Sequence, residues 1–274
     1  MAPRLSEALG QPVVIDNRPG AGGTLGSGIA ARAPADGGHL LILNTLPHTS
    51  AAGLYPKLTY DPVRDFVGIG KIASTPYVLV TNPKVPAKNV GEFIALAKSS
   101  PGKLMYGSAG VGSATHLAPE LFKIVTKTDI GHIPYRGGGP AIVDLIGGQV
   151  QMVTDNLFSS IPNIKAGNVR ALAVTSKRRS PIFPELPSVA EAGHPDFEVV
   201  GQFGFVAPAG TPASVIERLN AALNKVVNSP EVSGQIKGQG AEPETSTPEA
   251  FDALMRNESA KWLAVINQAG IKPE

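Results

Sequence analysis

Short apolar runs alternating with amphipathic helical stretches constrain this 274-residue chain more than any other feature. Pro12 to Ile15, Leu40 to Leu43, Val67 to Ile72 and Tyr77 to Val80 read as strands. So do Leu104 to Tyr106, Val150 to Val153, Val169 to Val174 and Phe203 to Val206. Most of these runs are continuous rather than alternating, the pattern of strands covered on both faces by helices. Between them, Val90, Phe93, Ile94 and Ala97 keep helical spacing, as do Leu117, Leu121, Phe122 and Val125. A third stripe joins Val215, Ile216, Leu219, Leu223 and Val226, with Thr211 as N-cap and Pro212 in the first turn. The longest runs from Phe251 and Leu254 to Trp262, Val265 and Ile266, capped by Thr247 and stopped by Gly270. Alternation of this kind predicts an α/β fold with mainly parallel sheets. At roughly 150 residues per domain, the length predicts one large domain or two medium ones.

Composition removes several function classes. Lys and Arg number 24 against 22 Asp and Glu, a net charge of +2, which argues against a nucleic-acid-binding face. No run approaches the ~20 apolar residues of a membrane-spanning helix. Cysteine is absent, which excludes disulfides, thiolate metal sites and cysteine nucleophiles. The 31 glycines and 25 prolines are spread along the chain and mark many tight turns. Met1 to Leu5 lacks the apolar centre of an export signal. The helix expected over Arg4 to Leu9 leads into the Pro12 strand with no strand before it. That order implies that a strand is missing upstream.

The motif best suited to a ligand is Tyr106-Gly107-Ser108-Ala109-Gly110-Val111-Gly112-Ser113-Ala114-Thr115-His116. It follows a strand and opens a helix. Its glycines allow close backbone approach, Ser113 or Thr115 can cap, and free N–H groups at a helix start favour an anion. His116 could add a hydrogen bond. A plain strand-to-helix turn with a capping serine accounts for the same residues equally well. The dinucleotide pattern fails here, because Thr115 stands where its third glycine belongs, and no Walker loop or G-x-S-x-G elbow occurs. Tyr135-Arg136-Gly137-Gly138-Gly139-Pro140-Ala141 is a second such stretch, with Tyr135 as a phenolic donor, although a solvated glycine-rich turn fits it somewhat better. Asn17-Arg18-Pro19-Gly20-Ala21-Gly22-Gly23-Thr24 is a third. Asn44-Thr45-Leu46-Pro47-His48-Thr49-Ser50 is a fourth, read as a loop. Asp155 follows the Val150 strand and either faces a cleft or caps the next turn with Asn156. His39, His48, His116, His132 and His194 show no metal-ligand spacing, and no nucleophile–base–orienter set can be assembled.

Taken in order, the motifs resemble those of the Bug-type, tripartite tricarboxylate transporter substrate-binding proteins of bacteria. The resemblance rests on Leu9-Gly10-Gln11-Pro12-Val13-Val14 with Asn17 to Gly23, on Leu54-Tyr55-Pro56-Lys57-Leu58, and on Tyr60-Asp61-Pro62-Val63-Arg64-Asp65-Phe66. It continues through Gly107 to Gly110, Gly112, His116-Leu117-Ala118 and Tyr135 to Ala141. Pro184 to Gly193 and Ala207-Pro208-Ala209-Gly210-Thr211-Pro212 complete it. Each piece is weak alone; order and spacing over the whole chain make the match specific.

The resemblance implies an α/β, two-domain periplasmic-binding-protein-like (type II) flytrap, each lobe a mainly parallel sheet flanked by helices. Residues 1–80 with 204–274 would form one lobe, lacking its first strand, and 81–203 the other. It implies a monomeric periplasmic receptor without cofactor or metal, no enzyme and no partner of nucleic acid. Such a receptor binds a small di-, tri- or aromatic carboxylate between the lobes and delivers it to membrane transporter subunits. Ser108, Ala109, Gly110, Gly112, Ser113 and His116 would clasp a carboxylate, Thr45 and His48 would approach from the other lobe, and Tyr135, Asp155, Gln202, Phe203 and Gly204 would line the remainder. Two other readings are an α/β enzyme acting on a small acid, with His116 or Asp155 as general base, and a ligand sensor of the same fold.

Overall fold

A computed structural model describes residues 1–18 and 23–272. In chain order its elements are α1 (Ala2–Leu9), α2 (Thr24–Ala31), β1 (Leu41–Asn44), α3 (Thr45–Leu54), β2 (Phe66–Thr81), α4 (Val90–Ser99), β3 (Met105–Ser108), α5 (Ala114–Thr126) and β4 (Gly131–Pro134). They continue with α6 (Gly138–Gly147), β5 (Met152–Asn156), α7 (Leu157–Lys165), β6 (Arg170–Val174), β7 (Val200–Pro208), α8 (Ala213–Val227), α9 (Pro230–Gly238), β8 (Glu242–Pro243) and α10 (Pro248–Ala269). The chain divides into two compact units. Unit 1 holds Met1–Ser74 and Gln202–Asn267; unit 2 holds Thr75–Gly201. No helix among the described residues is long and apolar enough to cross a membrane.

In unit 1 the strand order is β1, β7, β2, β8. β1 pairs antiparallel with β7, Leu41 opposite Val206, and β2 pairs antiparallel with β8. The mainly parallel sheet expected for this lobe is therefore not what these pairings show. β7 arrives from unit 2 rather than from a helical crossover, so it meets β1 in the opposite sense. Leu43, Tyr60, Phe66, Val206, Phe251 and Met255 form one core cluster, and Ile69, Ile72, Ala207, Ile216, Leu219, Leu223 and Val226 belong to another.

Unit 2 orders its strands β6, β2, β5, β3, β4. β3 pairs parallel with β4 and β5. β2 is antiparallel to both β5 and β6, so β6 runs with β5 and only β2 is reversed. This unit keeps the expected parallel character because β3, β4, β5 and β6 follow one another through helices. Val78, Val80, Ala141, Leu145, Val150, Val153, Leu157, Val169 and Val174 form its core. Leu145→Ala should lower stability by about 3 kcal/mol through lost burial and a cavity, read as a shifted urea midpoint.

Several local readings change. The Pro12 to Ile15 run forms no strand; Val14 and Ile15 are 84% and 70% exposed. The Val13 N–H of this run donates to Ser6 Oγ at 2.9 Å instead of to a neighbouring strand. Val67 to Ile72 and Tyr77 to Val80 join into the single 16-residue strand β2. Asn44 to Ser50 is not a loop, because Asn44 caps α3, its side chain accepting from the Leu46 N–H at 3.3 Å. α8 starts one residue late, with Pro212 as N-cap, and the Thr211 hydroxyl donates to Pro208 O instead. α10 follows the expectation: Thr247 Oγ1 accepts from the Ala250 N–H, and Gly270 ends the helix at φ +64°. Of the third anion-friendly stretch, residues 19–22 lie outside the described residues.

Candidate functional site

Three strands of unit 2 lead directly into helices: β3 into α5, β4 into α6 and β5 into α7. Since β3, β4 and β5 are parallel, the three helix N-termini emerge at one edge of the sheet. Unfilled N–H groups and the positive ends of three helix dipoles gather there. The strand ends are in contact. The Tyr135 N–H donates to Ser108 O at 3.0 Å, and a Cβ on Gly138 would stand 3.9 Å from Asp155 Oδ1.

The loop before α5 is tied by its own side chains. The Ala109 N–H donates to Thr115 Oγ1 at 2.8 Å, the Gly110 N–H to Ser108 Oγ at 3.1 Å, and the Gly112 N–H to His116 Nδ1 at 3.0 Å. Ser113 Oγ donates to Gly110 O at 2.7 Å and lies 2.9 Å from Thr115 Oγ1. Ser113 thus occupies the N-cap position without capping through its side chain. Among the described residues, the N–H groups of Val111, Ala114 and Thr115 are left with no protein acceptor. The amides of Ala109, Gly110 and Gly112, by contrast, are spent inside the loop.

The other two helix mouths differ. Asn156 Oδ1 accepts from the Phe158 N–H at 3.0 Å, and Asp155 Oδ2 accepts from the Ser159 and Ser160 hydroxyls at 2.8 and 2.7 Å. Asn156 is the N-cap of α7, and Asp155 beside it anchors the two serine hydroxyls of the first turn. Tyr135 Oη donates to Asp144 Oδ2 at 2.7 Å, and burial, with Asp144, pushes the phenol up to about 12. The hydroxyl expected to reach a ligand is already engaged. At α6, Gly137 and Gly139 leave the helix start bare, with nothing within 4 Å of an added Cβ.

Behind the α5 loop lies a column of rings that the sequence did not reveal. His116 stacks on His132 at 4.1 Å between centroids, and His132 on Tyr106 at 4.7 Å. The Tyr106 hydroxyl donates to Glu120 Oε1 at 2.5 Å, and Lys123 Nζ donates to the same oxygen at 2.8 Å. His116, Glu120 and Lys123 recur at helical spacing on α5, a signal that could have pointed to one face. His132 comes from β4 and has no comparable mark.

Ser108, Ala109, Gly110, Gly112, Ser113, His116, Tyr135 and Asp155 thus share one edge of unit 2. Thr45, His48 and Phe203 belong to unit 1. Phe203 packs against its core. Thr45 Oγ1 and Thr49 Oγ1 are buried without a partner among the described residues. His48 lies in the core, Nε2 2.8 Å from Pro62 O and Nδ1 3.4 Å from Ser27 Oγ, against the Tyr60 and Phe66 rings. Both ring nitrogens are engaged, so this side chain is occupied with holding unit 1. Unit 1 also carries a groove of about 390 Å³ between α2 and β1, lined by Asn17, Ile29, His39, Ile42 and Pro47 among others.

Burial lowers the pKa of His48 from 6.5 to about 4. The unfolded chain therefore binds a proton that the folded chain refuses between these values. Stability is full above pH 6.5 and falls as pH drops toward 4, by on the order of 3 kcal/mol from His48. His116 and His132, lowered to about 4 by burial, act in the same direction. Urea midpoints at pH 7, 5.5 and 4.5 should fall in that order; a flat series would contradict buried neutral imidazoles.

Residues 1–271 match the tripartite tricarboxylate transporter family receptor. The chain belongs to this family. Protein BugT of Bordetella pertussis is 38% identical over 273 residues, covering 99% of this chain and 84% of its own. R. palustris Rpa4515 with adipate has a TM-score of 0.85 at 37% identity, covering 100% of this chain and 91% of its own. MatC from Rhodopseudomonas palustris with bound malate has a TM-score of 0.81 at 31% identity, covering 97% and 91%. The family is one of solute receptors rather than enzymes.

Proposed function

We propose that the chain is a periplasmic receptor that binds a small carboxylate and hands it to a tripartite tricarboxylate-type membrane transporter. The observation that carries this reading is the α5 mouth: the N–H groups of Val111, Ala114 and Thr115 have no acceptor, at an edge where three helix N-termini meet. Backbone donors of this kind hold an anion without burying a Lys or Arg partner. The similarity to the adipate-bound and malate-bound proteins supports a dicarboxylate over other anions. At α5 the ligand carboxylate meets amides and hydroxyls; Asp155 keeps a second anion from α7.

Calorimetric titration with adipate, malate, citrate and benzoate tests the reading. At least one should bind below 0.1 mM, roughly −5.5 kcal/mol or tighter. Ser113→Ala, which removes the hydroxyl that joins Gly110 O to Thr115 Oγ1 and loosens the loop, should weaken that ligand by about fivefold. Absence of heat from all four acids at millimolar concentration would defeat the proposal.

A further inference from the structure

We propose that His116 and His132 are positioning residues: a stacked pair that sets the α5 mouth through hydrogen bonds to the Gly112 N–H and to Ser108 Oγ, and that makes no contact with the ligand. The inference rests on the carboxylate reading for its consequence, though its geometry stands apart from it.

The arrangement fixes the tautomer of His116. The Gly112 N–H points at Nδ1 from 3.0 Å, and an amide N–H can only donate. Nδ1 must therefore carry a lone pair, which leaves the ring proton on Nε2. A proton on Nδ1 would set two donors against each other and expel the Gly112 amide. Gly112 sits at φ +77°, beside Val111 and two residues from Ala114, so its displacement turns two of the three amides left for a ligand. His132 acts on the other end of the loop. Its Nε2 lies 2.7 Å from Ser108 Oγ, a bond whose direction follows the ring's tautomer; that hydroxyl accepts from the Gly110 N–H and stands 3.3 Å from Gly110 O. The two rings lie 4.1 Å apart and 15° from parallel, so each fixes the plane of the other.

The surroundings keep both rings neutral. Tyr106 closes the column on the β3 side. From α5, Glu120 is held by the Tyr106 hydroxyl and by Lys123, whose ammonium also stands 5.8 Å over the Tyr106 ring. Burial lowers His116 first, with Lys123 adding to it; for His132 burial again leads, followed by the neighbouring His116. Two charged imidazoles at this spacing would repel. The alternative role, donation from His116 to a bound carboxylate, would leave the Gly112 amide with the same ring nitrogen and would not need His132 at all.

The test pairs a ligand-free readout with a binding readout on the full chain. Nitrogen-15 spectra of the imidazoles at pH 7 should show His116 unprotonated at Nδ1 and protonated at Nε2, and the Gly112 amide should exchange slowly. His116→Asn keeps an acceptor near the Nδ1 position and should hold adipate or malate, whichever the wild type binds, within about threefold; His116→Ala should lose at least about tenfold. His132→Gln, which keeps an atom near Nε2, should likewise outperform His132→Ala. A protonated Nδ1, or His116→Ala matching His116→Asn in affinity, overturns the inference. If the wild type binds none of the four acids, the carboxylate reading fails, while a protonated Nδ1 or a fast-exchanging Gly112 amide would still overturn the hydrogen bond on which the role of His116 rests. Should the alanine variants not fold, the wild-type spectra and the asparagine variant suffice.

Discussion

Gly204→Val is expected to destabilise the protein by about 3 kcal/mol or more, the largest effect of any single change considered. A Cβ at this position would stand 2.2 Å from Phe251 Cζ, 2.6 Å from Cε2 and 2.7 Å from Gly70 O. None of these can yield cheaply. The Phe251 ring is wholly buried in a cluster with Leu43, Tyr60, Phe66, Val206 and Met255, and Gly70 O belongs to the backbone of β2. Either β7 shifts away from β1, where Gly204 pairs with Leu43, or Phe251 leaves the core. Urea unfolding reads the loss directly. Gly139→Ala serves as the control, since its added carbon meets nothing within 4 Å. Adding Phe251→Ala to a Gly204→Ala background should cost less than the two single changes summed, because the first removes the clash of the second. Full additivity would show that the two side chains do not meet.

Gly110→Val should abolish carboxylate binding while leaving a folded protein. Gly110 has φ +120°, a conformation closed to β-branched residues, and an added carbon would approach Tyr135 O at 3.4 Å. Its carbonyl accepts from the Ser113 N–H at 3.2 Å and from Ser113 Oγ at 2.7 Å, and its own N–H reaches Ser108 Oγ. Rotating this one residue therefore moves the hydroxyls and the start of α5 together. Strain of this kind costs roughly 1–3 kcal/mol and is relieved by rebuilding the loop. A hundredfold loss, about 2.7 kcal/mol, is the expected calorimetric result with adipate or malate. Retention of affinity within threefold of the wild type would remove the α5 loop from the binding site.

What could be read from the sequence divides along physical lines. Strand and helix positions in unit 2 were legible because continuous apolar runs and helical stripes report burial on their own. The Thr247 cap and the Gly270 stop were legible for the same local reason: a hydroxyl and a positive φ act within one turn. The α3 helix was not, since Leu46, Pro47, His48 and Thr49 carry little helical signal, and its burial in unit 1 stabilises it instead. The α5 loop was recognised as a place, but not in its wiring. Which amides face outward depends on His116 Nδ1, Thr115 Oγ1 and Ser108 Oγ accepting from three others. The partners of Tyr135 and Asp155, namely Asp144, Ser159 and Ser160, come into reach only once a helix turns, so the sequence did not show them. The His132 stack needs the parallel register of β3 and β4, which brings Tyr106 beside His132.

β2 and β7 both carry the chain from one unit to the other within an unbroken strand: β2 spans Ser74 and Thr75, and β7 spans Gly201 and Gln202. Most domain borders fall in slack, polar linkers that a protease cleaves and an engineer can cut. Here both borders are laddered backbone, so no clean excision exists. A fragment spanning 75–201 would start and finish in half-strands whose remaining amides and carbonyls belong to the part left behind. Dissection of this receptor should therefore yield insoluble pieces, and grafting one half onto a relative would succeed only where the swap is made beyond the ends of these two strands.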